Sequence, residues 1–336
     1  MLGVVRAVVV GVVLAGVAVV SSPVSPEAAA FPVRAFAPLA RDGVVPPPPP
    51  PPPPPVAQPA RCVTPRAADQ AGFVLSPADG DSVLLNCQVI AYYGYPDVPG
   101  LGVLGEADPD VTAARVAAVA AEYDGVNGPR GVVGAYHLIA AVAQASATAD
   151  GSWLVRMPDE TIAAWVEAAH RHDFIVVLDI QMGHSTVDRE FAHFLHWAKD
   201  PRVHLALDPE WAMPPGVAPG TIIGGMDASA INRAQQLLSE LIVANGLSNR
   251  LLIVHQFVPE MIRGKAGLGW YPGVDLVIDT DGFGYPRQKI DNYDRYIGLD
   301  GAPHGGMKLF YDEDIGLMSP AEVSALVPQP DLVIYQ

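Results

Sequence analysis

Short apolar runs alternate with longer amphipathic ones along most of this chain. Strand-like segments are expected at Gln88–Tyr95, Gly131–Leu138, Phe174–Gln181, Val203–Glu210, Leu251–Phe257, Val274–Asp281, Met307–Asp312 and Leu332–Gln336. Most are short, β-branched and apolar throughout, the pattern of strands buried on both faces. Between them, apolar residues recur at helical spacing. Val116, Val119, Ala120 and Tyr123 share one face, as do Ile162, Trp165, Val166 and Ala169, and a third stripe runs through Ile231, Ala234, Leu237, Leu238, Leu241 and Ile242. Helix starts are marked by Pro158 before Asp159-Glu160, by Ser185 with Asp188 three residues on, and by Ser319-Pro320; Asn245-Gly246 marks an end.

Eight such alternations predict a single (β/α)8 TIM-type barrel over residues 61–336. The alternative is an open doubly wound sheet. It is disfavoured because no Gly-rich phosphate turn follows any strand, and Gly224-Gly225 falls within a loop.

The first sixty residues read differently. Arg6 precedes an uninterrupted apolar run, Ala7–Val20, and a Pro-broken stretch ends in Ala28-Ala29-Ala30. Those 14 residues are short of the ~20 that a spanning helix needs, so residues 1–30 are expected to be a cleaved signal peptide, with an uncleaved anchor as the alternative. Residues 31–60 include ten consecutive prolines, Pro46–Pro55, and are expected to be an extended Pro-rich linker without a packed core. Two cysteines, Cys62 and Cys87, occur in the chain, and in an exported protein they most simply form one disulfide. The expected localisation is secreted or envelope-associated, with no stable membrane span after cleavage.

Composition narrows the partners. The net charge of −16 supplies no basic stripe for a phosphate backbone, so nucleic acid is excluded as a partner. Half of the residues are hydrophobic and 17% are charged, enough apolar material for a large core.

Catalysis in such barrels gathers at the C-terminal strand ends. Those ends carry Tyr93, His137, Asp179 and Gln181, Asp208 and Glu210, His255 and Gln256, Asp279 and Asp281, and Tyr311 with Asp312. Strand alternation turns His204, Ala206, Asp208 and Glu210 to one side and the leucines between them to the other. The same parity groups Val177, Asp179 and Gln181 on the third strand, and Val277, Asp279 and Asp281 on the sixth. Converging carboxyls raise one another's pKa, and Trp211 beside Glu210 would desolvate it, which suits a general acid. The catalytic candidates are Glu210, Asp208, Asp281 and Asp179. The substrate-binding candidates are His137, Gln181, Trp211, His255, Gln256, Asp279, Tyr311 and Asp312. Trp211 and Trp270 would stack on sugar rings from the loops Trp211–Met226 and Val258–Gly273.

The Leu207-Asp208-Pro209-Glu210-Trp211 segment resembles the Asp-x-Glu arrangement on the fourth strand of glycoside hydrolase families 18 and 25, and Ile334-Tyr335-Gln336 is similar to the last strand of family 25 lysozymes. Segments such as YYGYP, ALDPEW, IVHQF and KLFYDED resemble those of exported bacterial proteins. The full run of family 18 acids is incomplete, because His204 and Ala206 stand where its earlier acids would. The resemblance implies Glu210 as proton donor, Asp208 as its partner, and Asp281 or Asp179 as supporting acids. The expectation is a glycoside hydrolase-like protein acting on a cell-envelope or extracellular polysaccharide, without metal or cofactor. Two alternatives stand beside it: a non-catalytic glycan-binding or structural envelope barrel, and a metal-dependent hydrolase or deacetylase using His137, Asp179, His255 and Asp281. The first strand has no H-x-H and the chain no H-E-x-x-H, which counts against the metal alternative.

Overall fold

A computed structural model describes residues 82–336. The expected signal peptide, Pro-rich linker and Cys62 lie outside the described residues. Eight strands form the barrel: β1 (Cys87–Gly94), β2 (Gly131–Ala143), β3 (Ile175–Gly183), β4 (Val203–Ala212), β5 (Arg250–Gln256), β6 (Val274–Thr280), β7 (His304–Leu309) and β8 (Leu332–Tyr335). Every neighbouring pair is parallel. The ring closes where Val89–Tyr92 of β1 pairs with Leu332–Tyr335 of β8. A short edge segment, Leu154–Arg156, adds an antiparallel extension to β2.

Strand parity divides the core into two layers. Val89, Ala91, Val133, Ala135, Val177, Ala206, Ile253, Val277 and Ile334 fill the barrel interior. Ile90, Val176, Leu178, Leu205, Leu207, Leu252, Val254 and Ile278 face the surrounding helices. Each buried Leu, Ile or Val contributes roughly 1.5–3 kcal/mol relative to exposure.

The helical layer follows from the three apolar stripes. Helix α1 (Pro109–Asp124) buries Val116, Ala120 and Tyr123 beneath an Asp108 cap, whose side chain accepts from Val111 N at 2.9 Å. Helix α2 (Asp159–His172) buries Ile162, Trp165, Val166 and Ala169. Helix α4 (Ala228–Asn245) buries Ile231, Ala234, Leu238 and Ile242, and ends at Gly246 in the left-handed conformation that glycine adopts without strain. Helix α5 spans Pro286–Tyr293, and α6 (Pro320–Ser324) opens with a complete Ser319/Glu322 capping box.

Two expectations need correction. Helix α3 (Val187–Phe194) is capped by Thr186, which accepts from Arg189 N, and not by Ser185. The Ser185 hydroxyl instead donates to Glu190, a buried acid gripped by Arg156 at 2.7 and 2.8 Å. The fifth crossover, residues 257–273, is a loop with two single-turn 3-10 segments, Pro259–Met261 and Lys265–Gly267, as the sequence reading of Val258–Gly273 has it. Pro259, Gly264, Gly267, Gly269, Pro272 and Gly273 interrupt any helical run there. Finally, β7 begins earlier than expected and stops at Leu309, so Tyr311 and Asp312 lie beyond the sheet.

Loops after β4 and β5 are joined at the rim. Met226–Asp227 pairs in parallel with Ile262–Arg263, and Arg263 Nε donates to Asp227 at 2.7 Å.

Candidate active site

The C-terminal ends of six strands converge on one group of buried ionisable side chains. His255 of β5 lies between three acids. Its Nδ1 is 2.9 Å from Asp279 and 3.4 Å from Asp281, and its Nε2 is 3.3 Å from Asp179. His137 of β2 sits 3.6 Å from the same Asp179 oxygen. Lys308 of β7 is 3.1 Å from Asp281, with its ammonium 3.8 Å from the centre of the Tyr93 ring. Tyr93 in turn packs against both imidazoles, at 5.1 and 6.0 Å between ring centres. His137, Asp179 and His255 have no side-chain exposure.

Local backbone features fix these positions. Gly306 of β7 has no Cβ, and one placed there would come within 2.6 Å of Asp279 Oδ1. Only glycine leaves Asp279 room to reach His255. On β4, register slips between the Gln181/Asp208 and Gly183/Ala212 pairings, so Pro209-Glu210-Trp211 form an irregular segment at the mouth. Gly224 N donates to Glu210 O at 2.6 Å, and a Cβ on Gly224 would collide with that carbonyl. The Glu210 backbone is therefore clamped from the following loop.

The electrostatics separate the acids into two kinds. Burial alone would raise Asp179, but His255 and His137 more than offset it and hold the carboxyl below its usual range. Burial would likewise lower His255, yet Asp179, Asp279 and Asp281 raise it well above an ordinary imidazole. His137 has one acid beside it, and burial wins: it is lowered and stays neutral. Lys308 is raised, because Asp281, Asp208 and Asp279 outweigh its burial. The Asp208–Glu210 rung behaves oppositely to Asp179. Burial and the neighbouring Glu210 and Asp179 push Asp208 well above an ordinary carboxyl. Burial and Asp281 raise Glu210 to about 7, although Lys308, His255 and the Trp211 side chain pull it down. Glu210 is half-buried and lies within the field of Asp281, Lys308 and His255. The arrangement can therefore keep one carboxyl protonated near neutrality within the field of an ionised one, the condition for general acid chemistry.

Among the sequence candidates, His137, Asp179, Asp208, Glu210, His255, Asp279 and Asp281 form this group, with Trp211 beside Glu210. Four others do not join it. Gln181 accepts from Ala143 N at 2.8 Å and serves the backbone of β2. Gln256 turns to Lys265 at 2.8 Å, on the sheath side of β5. Tyr311 stacks on Tyr335 and hydrogen-bonds Tyr92, both members of the helix-facing layer. Asp312 is exposed, past the end of β7. Trp270 is 70% exposed.

Sequence reasoning misses Lys308 and gives Tyr93 no role beyond its strand end. The available signal for Lys308 is its setting: a lone lysine inside Met307-Lys308-Leu309-Phe310, in a chain with four lysines. A charge on an otherwise apolar barrel strand must face a counter-charge. His204, deeper on β4, accepts from Leu251 N at 2.9 Å and is held neutral by burial and Arg250, which gives it a structural task.

No family model and no curated protein matches the sequence. Among solved structures, 2,3-dimethylmalate lyase, a PEP mutase/isocitrate lyase superfamily member, is similar with a TM-score of 0.42 and 10% identity, covering 75% of this chain and 76% of that chain. Oxaloacetate acetylhydrolase in complex with the product oxalate is similar with a TM-score of 0.41 and 10% identity, over 74% and 75% of the two chains. A GH18 chitinase from Pseudoalteromonas aurantia has a TM-score of 0.37 and 10% identity, over 73% of this chain and 92% of that chain.

Proposed function

We propose that this barrel is an exported hydrolase of a glycosidic bond in a cell-envelope or extracellular polysaccharide, with Glu210 as the proton donor. The observation that carries the reading is the Asp208-x-Glu210 rung. Asp208 is buried on β4, Glu210 follows it two residues on beside Trp211, and both lie in the field of Asp281. Glycosidic cleavage needs a carboxylic acid that is still protonated near neutral pH and a second, ionised carboxylate close to the sugar. Glu210, raised to about 7 by burial and Asp281, suits the first task. Asp281, paired with Lys308 at 3.1 Å, suits the second. Trp211 offers an apolar face for a sugar ring.

The test is a hydrolysis screen over a panel of wall and extracellular glycans, with wild type against Glu210→Gln. The amide keeps the shape and removes the transferable proton. Turnover should fall by ~10²-fold or more while glycan binding stays within a few-fold of wild type. Binding without hydrolysis by either protein would replace this reading with that of a glycan-binding barrel. Undiminished turnover in Glu210→Gln would remove Glu210 from its role.

A further inference from the structure

One part of the mouth is not explained by acid–base work at Glu210. Below that residue, several fully buried polar atoms have no hydrogen-bond partner: both ring nitrogens of His137, both carboxyl oxygens of Asp179, and Nε2 of His255. Buried polar atoms left without partners carry a cost of about 1–3 kcal/mol each. Here they are gathered on β2, β3 and β5, with Asp179 Oδ2 facing the Nε2 atoms of both imidazoles.

Their spacing is informative. One donor atom from each of His137, Asp179 and His255 lies within 4.8 Å of the other two. Asp179 Oδ2 is 3.3 Å from His255 Nε2 and 3.6 Å from His137 Nε2, and both contacts fall outside strict hydrogen-bond geometry. Around a tetrahedral ion with ligand bonds of about 2.0–2.1 Å, ligand atoms are separated by about 3.3 Å. Direct N–H···O bonds would instead favour about 2.9 Å and near-linear alignment. The three atoms thus face a common point more than they face each other.

The surrounding shell agrees. His255 Nδ1 is 2.9 Å from Asp279, which fixes the ring and leaves Nε2 as the free donor. A carboxylate on the far nitrogen is the usual support of a metal-bound histidine. Gly306 leaves the space that Asp279 needs for this contact. The donor set, two imidazoles and one carboxylate, suits a borderline divalent ion such as Zn²⁺ or Co²⁺ over Ca²⁺ or Mg²⁺, which prefer all-oxygen shells.

We infer that His137, Asp179 and His255 form a binding site for one divalent transition-metal ion at the floor of the barrel mouth. This takes up three of the four residues of the metal alternative weighed from the sequence, departs from its leading metal-free expectation, and does not rest on the glycosidase reading.

The experiment uses untagged, full-length exported protein dialysed against chelator and titrated with Co²⁺ alone, followed by visible d–d absorption and by equilibrium dialysis with elemental analysis. One equivalent of Co²⁺ should bind, with the intense bands of a four-coordinate site, and one equivalent of Zn²⁺ should displace it. Asp179→Asn and His137→Ala should abolish binding. Asp279→Asn should retain the stoichiometry but weaken affinity about 10–100-fold, as a supporting residue would. Glu210→Gln should leave both unchanged, which separates this site from the acid above it. Circular dichroism checks that each variant is folded, and the wild-type titration decides the matter alone if one is not. Absence of Co²⁺ and Zn²⁺ binding by wild type, or full binding by folded Asp179→Asn, would overturn the assignment.

Discussion

Replacing Glu210 by Gln has a consequence for stability that is independent of any substrate. Burial and the Asp281 charge raise the Glu210 carboxyl from 4.5 to about 7 in the folded barrel. A carboxyl raised on folding binds its proton more tightly in the native state. Its contribution is therefore fully present below the unfolded value near 4.5 and is lost as pH climbs through about 7. At about 1.4 kcal/mol per tenfold change in proton affinity, the rise corresponds to about 3 kcal/mol at most, since the rim of the mouth meets solvent. Gln cannot ionise, so Glu210→Gln escapes this loss. Urea unfolding of both proteins, followed by circular dichroism in chelator, at about pH 4.5 and about pH 8.5, reads the effect of Glu210 together with its coupling to Asp208, while groups remote from the mouth cancel in the difference. The variant should gain on wild type by about 2–3 kcal/mol between the two pH values. A difference that stays constant with pH would mean that Glu210 is fully hydrated, and the general-acid assignment would fall with it.

Three further outcomes are expected. Lys308→Met leaves Asp281 buried without its ammonium partner and should cost about 3–5 kcal/mol by denaturant unfolding, most of it recovered in the Lys308→Met/Asp281→Leu double variant; additive losses would mean that the pair is not coupled. Arg250→Met removes hydrogen bonds of 2.9, 2.7 and 3.0 Å to the carbonyls of Ala198, Ser248 and Asn249 at the foot of β5 and should cost about 3 kcal/mol, read as a lower urea midpoint; an unchanged midpoint would refute it. Intact mass spectrometry under non-reducing conditions should find Cys62 joined to Cys87, and Cys62→Ser should lower stability by roughly 3 kcal/mol; two free thiols would end that proposal.

The barrel was legible in the chain because its strands are buried on both faces. Segments such as Phe174–Ile180 leave little freedom of interpretation when helical stripes flank them, and a two-residue period then decides which side chains enter the interior. That rule alone turns Asp179, Asp208 and Asp279 toward the interior, whereas Glu210 lies on the irregular segment past the register slip. It fails at strand ends, where the period stops. Gln181 and Gln256 look like mouth residues by position, but backbone amides and a lysine outside the barrel claim them. Tyr311 lies past the end of β7, where alternation no longer applies. Lys308 escapes notice for a different reason. Its partners, Asp281 and Tyr93, come from strands far away in sequence, and only barrel closure brings them together.

The small parallel pairing between Met226–Asp227 and Ile262–Arg263 bears on how the mouth can move. Without it, the loops after β4 and β5 would be two separate arms, each free to swing about its own strand end. With two backbone segments joined and Arg263 bonded to Asp227 at 2.7 Å, they are tied into one flap. In amide exchange, Asp227 and Arg263 should become unprotected together, and breaking their contact with Arg263→Ala should release both loops at once.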